Sequence, residues 1–208
     1  DEACRQLARW RRDGIDLTIA VNVSPRQVNH PSFIELVRES LVRSGLHPSS
    51  LCIEITETTA LRRVERLAVS LRRLKGLGVR IAMDDFGTGF SSLSQLRGLP
   101  IDVIKIDGSF VREVADVGPD RAIVAAIVSL GEEMGLTVIA ECVEDDTQLG
   151  ALRGLGCPLG QGHHFAPPAP AGELRLTGFD AHGRPGFGDP YVIREFMRQI
   201  GIPARMDS

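Results

Sequence analysis

The chain has 208 residues, is 43% apolar and 25% charged, and carries a net charge of −3 from 24 basic and 27 acidic side chains. That is ordinary globular usage, which excludes wholesale disorder, collagen and coiled coil, and the acidic balance argues against a protein that coats nucleic acid. No apolar run approaches the ~18 residues of a membrane span, and no signal peptide opens the chain.

Asp1 to Trp10 already reads as helix. Short β-branched runs then alternate with helical patterns. The runs are Leu17–Val23, Leu51–Thr56, Val79–Asp84, Ile101–Ile106, Thr137–Glu141 and a weak one near Gln161–Phe165. Between them, Val64, Leu67, Leu71 and Leu74 line one helix face, and Ile123, Ala126, Ile127, Leu130 and Met134 line another. Gly14, Gly45, Gly76 and Gly135 are placed as helix stops. From Leu176 onward glycine and proline become frequent. There Gly178–Gly188 reads as a loop, and a helix is predicted from Pro190, with Val192, Ile193, Phe196, Met197 and Ile200 as its apolar stripe.

Repeated βα units with short connections predict a parallel sheet. An open doubly wound sheet and a closed (β/α)8 barrel compete. The polar strand ends decide. Asn22, Glu54, Asp84 with Asp85, Lys105, Glu141 and Gln161 all sit where a buried strand should carry apolar residues. An open sheet needs polar ends at one crevice only, whereas a barrel brings every strand end to one site. No GxGxxG follows the first strand, so a dinucleotide fold loses its main support.

The chemistry of these ends is that of hard oxygen donors. Carboxylates and an amide suit Mg²⁺ or Mn²⁺, and the absence of histidine and cysteine from the set argues against zinc. Four carboxylates cannot converge without compensation; one or two divalent cations supply it. Adjacent Asp84 and Asp85 can serve two ions, and a two-ion site clamps both oxygens of a phosphoryl displacement. Lys105 would face the same cavity, to take a proton from the attacking water or to orient it, and Gln161 offers a neutral donor and acceptor. Arginine stays protonated where lysine need not, and only Lys75 and Lys105 among the basic residues are lysines. Residues 85–93 (DFGTGFSSL) read as a glycine-hinged loop that enters a helix at Ser91, a candidate mobile element. The cysteines Cys4, Cys52, Cys142 and Cys157 form no CxxC pair, which reads as reduced thiols in a cytosolic protein.

The segments Val21-Asn22-Val23-Ser24, Glu54-Ile55-Thr56-Glu57, Asp84 to Leu93, Lys105-Ile106-Asp107, Ala140 to Glu144 and Gln161-Gly162 occur in one order and spacing. In these the chain resembles the EAL domain, a bacterial cyclic-di-GMP phosphodiesterase family. The resemblance implies a modified (β/α)8 barrel with six βα units visible, two N-terminal strands missing and the namesake Glu-Ala-Leu motif lying before residue 1. It implies a barrel over 1–175 and a C-terminal extension over 176–208. It further implies hydrolysis of cyclic di-GMP to linear pGpG with two Mg²⁺ or Mn²⁺ ions.

On this resemblance Asn22, Glu54, Asp84, Asp85 and Glu141 match metal ligands. Lys105 matches the general base or water-positioning lysine, Gln161 a residue near water and substrate, and Glu57 the glutamate that holds the glycine loop. Cys142 stands where the family usually has glycine, and His163-His164 read as substitutions at the rim. A catalytically inactive cyclic-di-GMP receptor or protein-interaction module is the alternative, and a different Mg²⁺-dependent barrel enzyme is a weaker third. The partner expected is cyclic di-GMP rather than a nucleic-acid polymer. A homodimer and attached sensory or GGDEF domains remain open, in a cytoplasmic setting.

Overall fold

The computed structural model describes residues 1–57, 64–89 and 93–173; the helix start at Ser91 and the extension over 176–208 lie outside them. Helix α1 (Glu2–Arg12) buries Ala3, Cys4, Leu7 and Trp10, with Glu2 in its first turn and Arg9, Arg11 and Arg12 in its last, the order a helix dipole favours. Strand β1 (Ile19–Asn22) follows, then the short helix α2 (Pro25–Val28), whose start is closed by a reciprocal capping box between Ser24 and Gln27. Helix α3 (Phe33–Ser44) ends on Gly45, which takes the left-handed conformation a helix stop requires. Beyond it come β2 (Leu51–Thr56), α4 (Val64–Gly76), β3 (Arg80–Phe86), α5 (Leu93–Gly98), β4 (Val103–Ile106), the single turn α6 (Gly108–Val111), α7 (Pro119–Met134), β5 (Thr137–Ala140), α8 (Asp146–Gly154) and β6 (Leu159–Gly160).

The six strands among the described residues are parallel and hydrogen-bonded in chain order, from β1 through β6. This is the curled wall of a (β/α) barrel with its helices outside. The two faces of the wall are filled differently. Outward residues such as Ile53, Ile55, Ile81, Met83, Ile104, Ile106 and Val138 are buried in one large cluster with the helices. Burying each such side chain contributes about 1.5–3 kcal/mol. Inward, Ala20, Cys52, Ala82, Val103, Ile139 and Leu159 form a separate apolar layer.

Three details differ from the sequence reading. In α7 the buried stripe is Val124, Ile127, Val128 and Gly131; of the predicted stripe Ile127 is buried and Leu130 and Met134 pack against the core, while Ile123 and Ala126 are exposed. The cause is Gly131, where any side chain would overlap Val138, so the helix turns its glycine to the sheet. Gly76 is still helical, and the left-handed residue of that turn is Gly78. Strand β6 precedes Gln161 rather than starting there: Leu159 and Gly160 pair with Ile139 and Ala140.

Lys75 and Asp102 form a pin far from the polar strand ends. Asp102 accepts from Lys75 Nζ at 2.6 Å and from the backbone N–H of Ile81 at 2.8 Å. The backbone bond carries most of its value, because the ion pair is partly solvated. Asp102→Ala is expected to cost about 1–3 kcal/mol through the orphaned Ile81 N–H, and Lys75→Ala less than about 1 kcal/mol. Urea denaturation of both variants measures the difference. Among the described residues no helix is long and apolar enough to cross a membrane.

Candidate metal centre at the strand ends

Strand geometry places the polar residues. Side chains alternate faces along a strand, so a residue two beyond an inward one also points inward. Asn22, Glu54, Asp84, Lys105, Glu141 and Gln161 each stand two residues after a member of the inner apolar layer. They form the next layer up, at the carboxyl ends of the strands.

Lys105 is at the centre of this layer. Its Nζ donates to Glu141 Oε1 at 2.5 Å, to Asp84 Oδ1 at 2.7 Å and to Glu54 Oε2 at 3.3 Å. Lys105 and Glu54 are each 3% exposed and Asp84 8%. Burial pulls the Lys105 pKa down, but Glu54, Glu141 and Asp84 together outweigh it and hold the ammonium well above its ordinary range. The Glu141 pKa is raised as well, which for a carboxylate favours the neutral form. Burial pushes it up to about 7, against the pull of Lys105 and with further help from Asp84 and Glu54.

Asp85 has the wrong parity to face inward with Asp84, and a bulge corrects it. The β3–β4 register slips between Met83 and Phe86, and Asp85 takes φ 55°, in the left-handed region. As a result, carboxylate oxygens of Asp84, Asp85 and Glu141 all lie within 4.8 Å of one another. Asn22, exposed at the end of β1, is in register with Glu54. Gln161 follows β6, bonded through its backbone to Ala140 and Val143, and its buried Oε1 has no hydrogen-bond partner among the described residues.

Glu57 is not part of the acidic cluster. It is 1% exposed, and its Oε2 accepts from the backbone N–H groups of Gly87 at 2.9 Å and Gly89 at 3.0 Å. A side chain on Gly89 would collide with that carboxylate. Gly87 itself has φ 102° and packs against the ring of Phe110. The glycines of the loop are therefore required by close approach and by backbone conformation. Glu57→Ala removes the acceptor of two part-buried backbone donors, at an expected cost of about 1–2 kcal/mol. Thermal unfolding checks it.

The histidines lie outside the cluster. His163 is exposed, and His164 sits 3.7 Å from Asp146 and edge-on to Phe165. Sequence reading missed Phe110, the packing of Gly108 on Cys142, and Gln148. Buried Gln148 accepts from Glu144 N–H and donates to the carbonyl of Arg112. None of these belongs to a charge pattern or a strand end.

Hard oxygen donors from several strands, three carboxylates within one ion's reach and a buried amide oxygen without a partner fit a hard divalent cation. The fold and site together define a (β/α)-barrel domain with an acidic centre at its strand ends. Comparison with known proteins gives the family. A model of the EAL domain matches residues 1–168. An uncharacterized signaling protein of Caulobacter vibrioides is 47% identical over 184 residues, 88% of this chain and 22% of that protein. The bifunctional diguanylate cyclase/cyclic di-GMP phosphodiesterase MucR of Pseudomonas aeruginosa is 45% identical over 175 residues, 84% of this chain and 26% of its own length. The solved PaMucR phosphodiesterase in complex with c-di-GMP superposes with a TM-score of 0.80, covering 83% of this chain and 70% of that one. A manganese/cy-diGMP complex of Klebsiella pneumoniae BlrP1 gives 0.71 at 34% identity, covering 77% and 40%. The chain belongs to the EAL domain family. It spans about a quarter of the length of these curated relatives.

Proposed function

We propose that this domain hydrolyses cyclic di-GMP to linear pGpG with two divalent cations, Mg²⁺ or Mn²⁺. The observation that carries the reading is the convergence of Glu54, Asp84, Asp85 and Glu141 at one end of an EAL-family barrel. The c-di-GMP and manganese complexes of its structural neighbours support it. Asn22, Glu54, Asp84, Asp85 and Glu141 would hold the cations, which when bound supply positive charge to the phosphoryl oxygens.

The chain's own groups do the rest. Lys105 is protonated while the carboxylates around it are uncompensated. As cation charge offsets them, burial dominates and the ammonium releases its proton more readily. Lys105 is thereby set to position the attacking water and to take up its proton. The unpartnered Oε1 of Gln161 orients water or substrate from the β6 side. Glu57 fixes the turn that follows Asp85.

The barrel over 1–175 would work in the cytoplasm, with 176–208 as an appended extension. The relatives' greater length supports further domains, sensory or GGDEF, in the full protein, and a homodimer is compatible with the exposed helices. The test is a cyclic-di-GMP hydrolysis assay with Mn²⁺ on this chain and on the full-length protein, following pGpG by chromatography. Turnover is expected from the full-length protein. Retained binding without turnover by either would instead assign a cyclic-di-GMP receptor or interaction module.

A further inference from the structure

We propose that α6, the single turn after β4, is a wedge that positions Asp85 and Glu141 for the cation; this rests on reading the acidic cluster as a metal centre. The turn is bonded to both neighbouring strands at its base, since Asp107 N–H donates to the carbonyl of Phe86 and Glu141 N–H to that of Ile106. On one side Phe110 lies against Gly87, where a methyl group would fall 2.7 Å from its ring. Glu57 grips the same glycine through its N–H. The turn that sets the bulged Asp85 is thus held between Glu57 and Phe110.

On the other side Gly108 lies against Cys142, the residue after Glu141. A methyl group on Gly108 would fall 2.6 Å from Cys142 Sγ and 2.7 Å from its Cβ. Rotating the thiol away does not relieve the Cβ contact, so the backbone beside Glu141 must move. Cys142 is already in the left-handed region at φ 55°. Buried Gln148 closes the arrangement by tying the carbonyl of Arg112, just past α6, to Glu144 N–H in the loop after Glu141. Asp85 and Glu141 approach one another across the mouth while α6 separates the loops behind them. Side chains that orient metal ligands in this way are worth 10–100-fold in metal affinity.

The experiment is Mn²⁺ titration, by calorimetry and Mn²⁺ electron paramagnetic resonance, of the full-length protein without substrate. Gly108→Ala is expected to raise the Mn²⁺ Kd about 10-fold, although alanine is the better helix former. Cys142→Gly added to it removes the collision and returns the Kd toward wild type. Phe110→Ala is expected to raise the Kd about 10-fold as well, and Phe110→Leu, which keeps Gly87 covered, by less. Thermal unfolding without metal accompanies each titration, so that a folded variant with weakened binding is told apart from an unfolded one. A wild-type Kd in Gly108→Ala or Phe110→Ala overturns the proposal, as does a double variant no tighter than Gly108→Ala. Unchanged Mn²⁺ binding in Asp84→Ala would instead overturn the metal-centre reading beneath it.

Discussion

Replacing Lys105 with methionine is expected to cost the metal-free protein about 3–5 kcal/mol, the usual loss when one partner of a buried ionic cluster is removed. Glu54, Asp84 and Glu141 all bond the same ammonium, and burial prevents water from replacing it. The loss depends on pH. Glu141 has its folded pKa raised to about 7 from 4.5, so the folded state binds its proton more tightly than the unfolded chain. Its contribution is full below pH 4.5 and is lost as pH rises through 7. Lys105 is raised above 10.5, so its contribution is full below that pH and is lost only above it. Without Lys105 the ammonium that bonds Glu54, Asp84 and Glu141 no longer offsets their repulsion. The variant therefore weakens more steeply than wild type between pH 5 and 8, and Mn²⁺ restores it. Urea denaturation of chelator-treated protein at both pH values, with and without Mn²⁺, measures this; equal losses at pH 5 and 8 would refute it. Lys105→Arg keeps the charge but cannot release a proton. Loss of hydrolysis in that folded variant assigns proton uptake, and retained hydrolysis assigns positioning of water.

Asp84→Ala is expected to abolish the stabilisation by Mn²⁺ and to lower hydrolysis on the order of 10³-fold, because charge stabilisation by a bound cation is worth several kcal/mol in the transition state. Asp84, like Glu141, both bonds Lys105 and belongs to the tight trio with Asp85. Glu54→Ala acts in the same direction. Asn22→Ala loses less, since a neutral amide at an exposed rim contributes less charge. The paired readout is the Mn²⁺-induced shift in Tm and the rate of pGpG formation. A full thermal shift in a protein that still turns over would refute the assignment of Asp84 as a ligand.

Much of this was legible because strand parity is a local rule. Polar residues at the ends of six strands announced one end of a parallel barrel; strand parity then accounts for their common face. What was not legible came from places where a local rule breaks. The bulge at Asp85 depends on the β3–β4 register, which no single segment encodes. The α7 stripe held at Ile127, Leu130 and Met134 but missed at Ile123 and Ala126, because Gly131 contributes by being small rather than apolar, and hydrophobic periodicity does not register that. Strand β6 is two residues long and ends on a glycine, too short for a pattern. The wedge at α6 is built from Gly108 and Phe110, which carry no charge signature and gain meaning only once Gly87 and Cys142 lie beside them.

The charge of the domain has a consequence for the order of events. The whole chain has a formal net charge of −3. Counted formally, four strand-end carboxylates against one lysine give the same −3 at the mouth of the barrel, and −2 while Glu141 holds its proton. On the proposed function, this negative charge lies where an anionic substrate would arrive. An empty mouth repels a cyclic dinucleotide with its two phosphodiester charges and attracts dications. On the proposed function, cations are expected to load first, and the on-rate of the nucleotide then to rise with their number. Raising ionic strength would slow cation capture while easing the approach of nucleotide to an unloaded site.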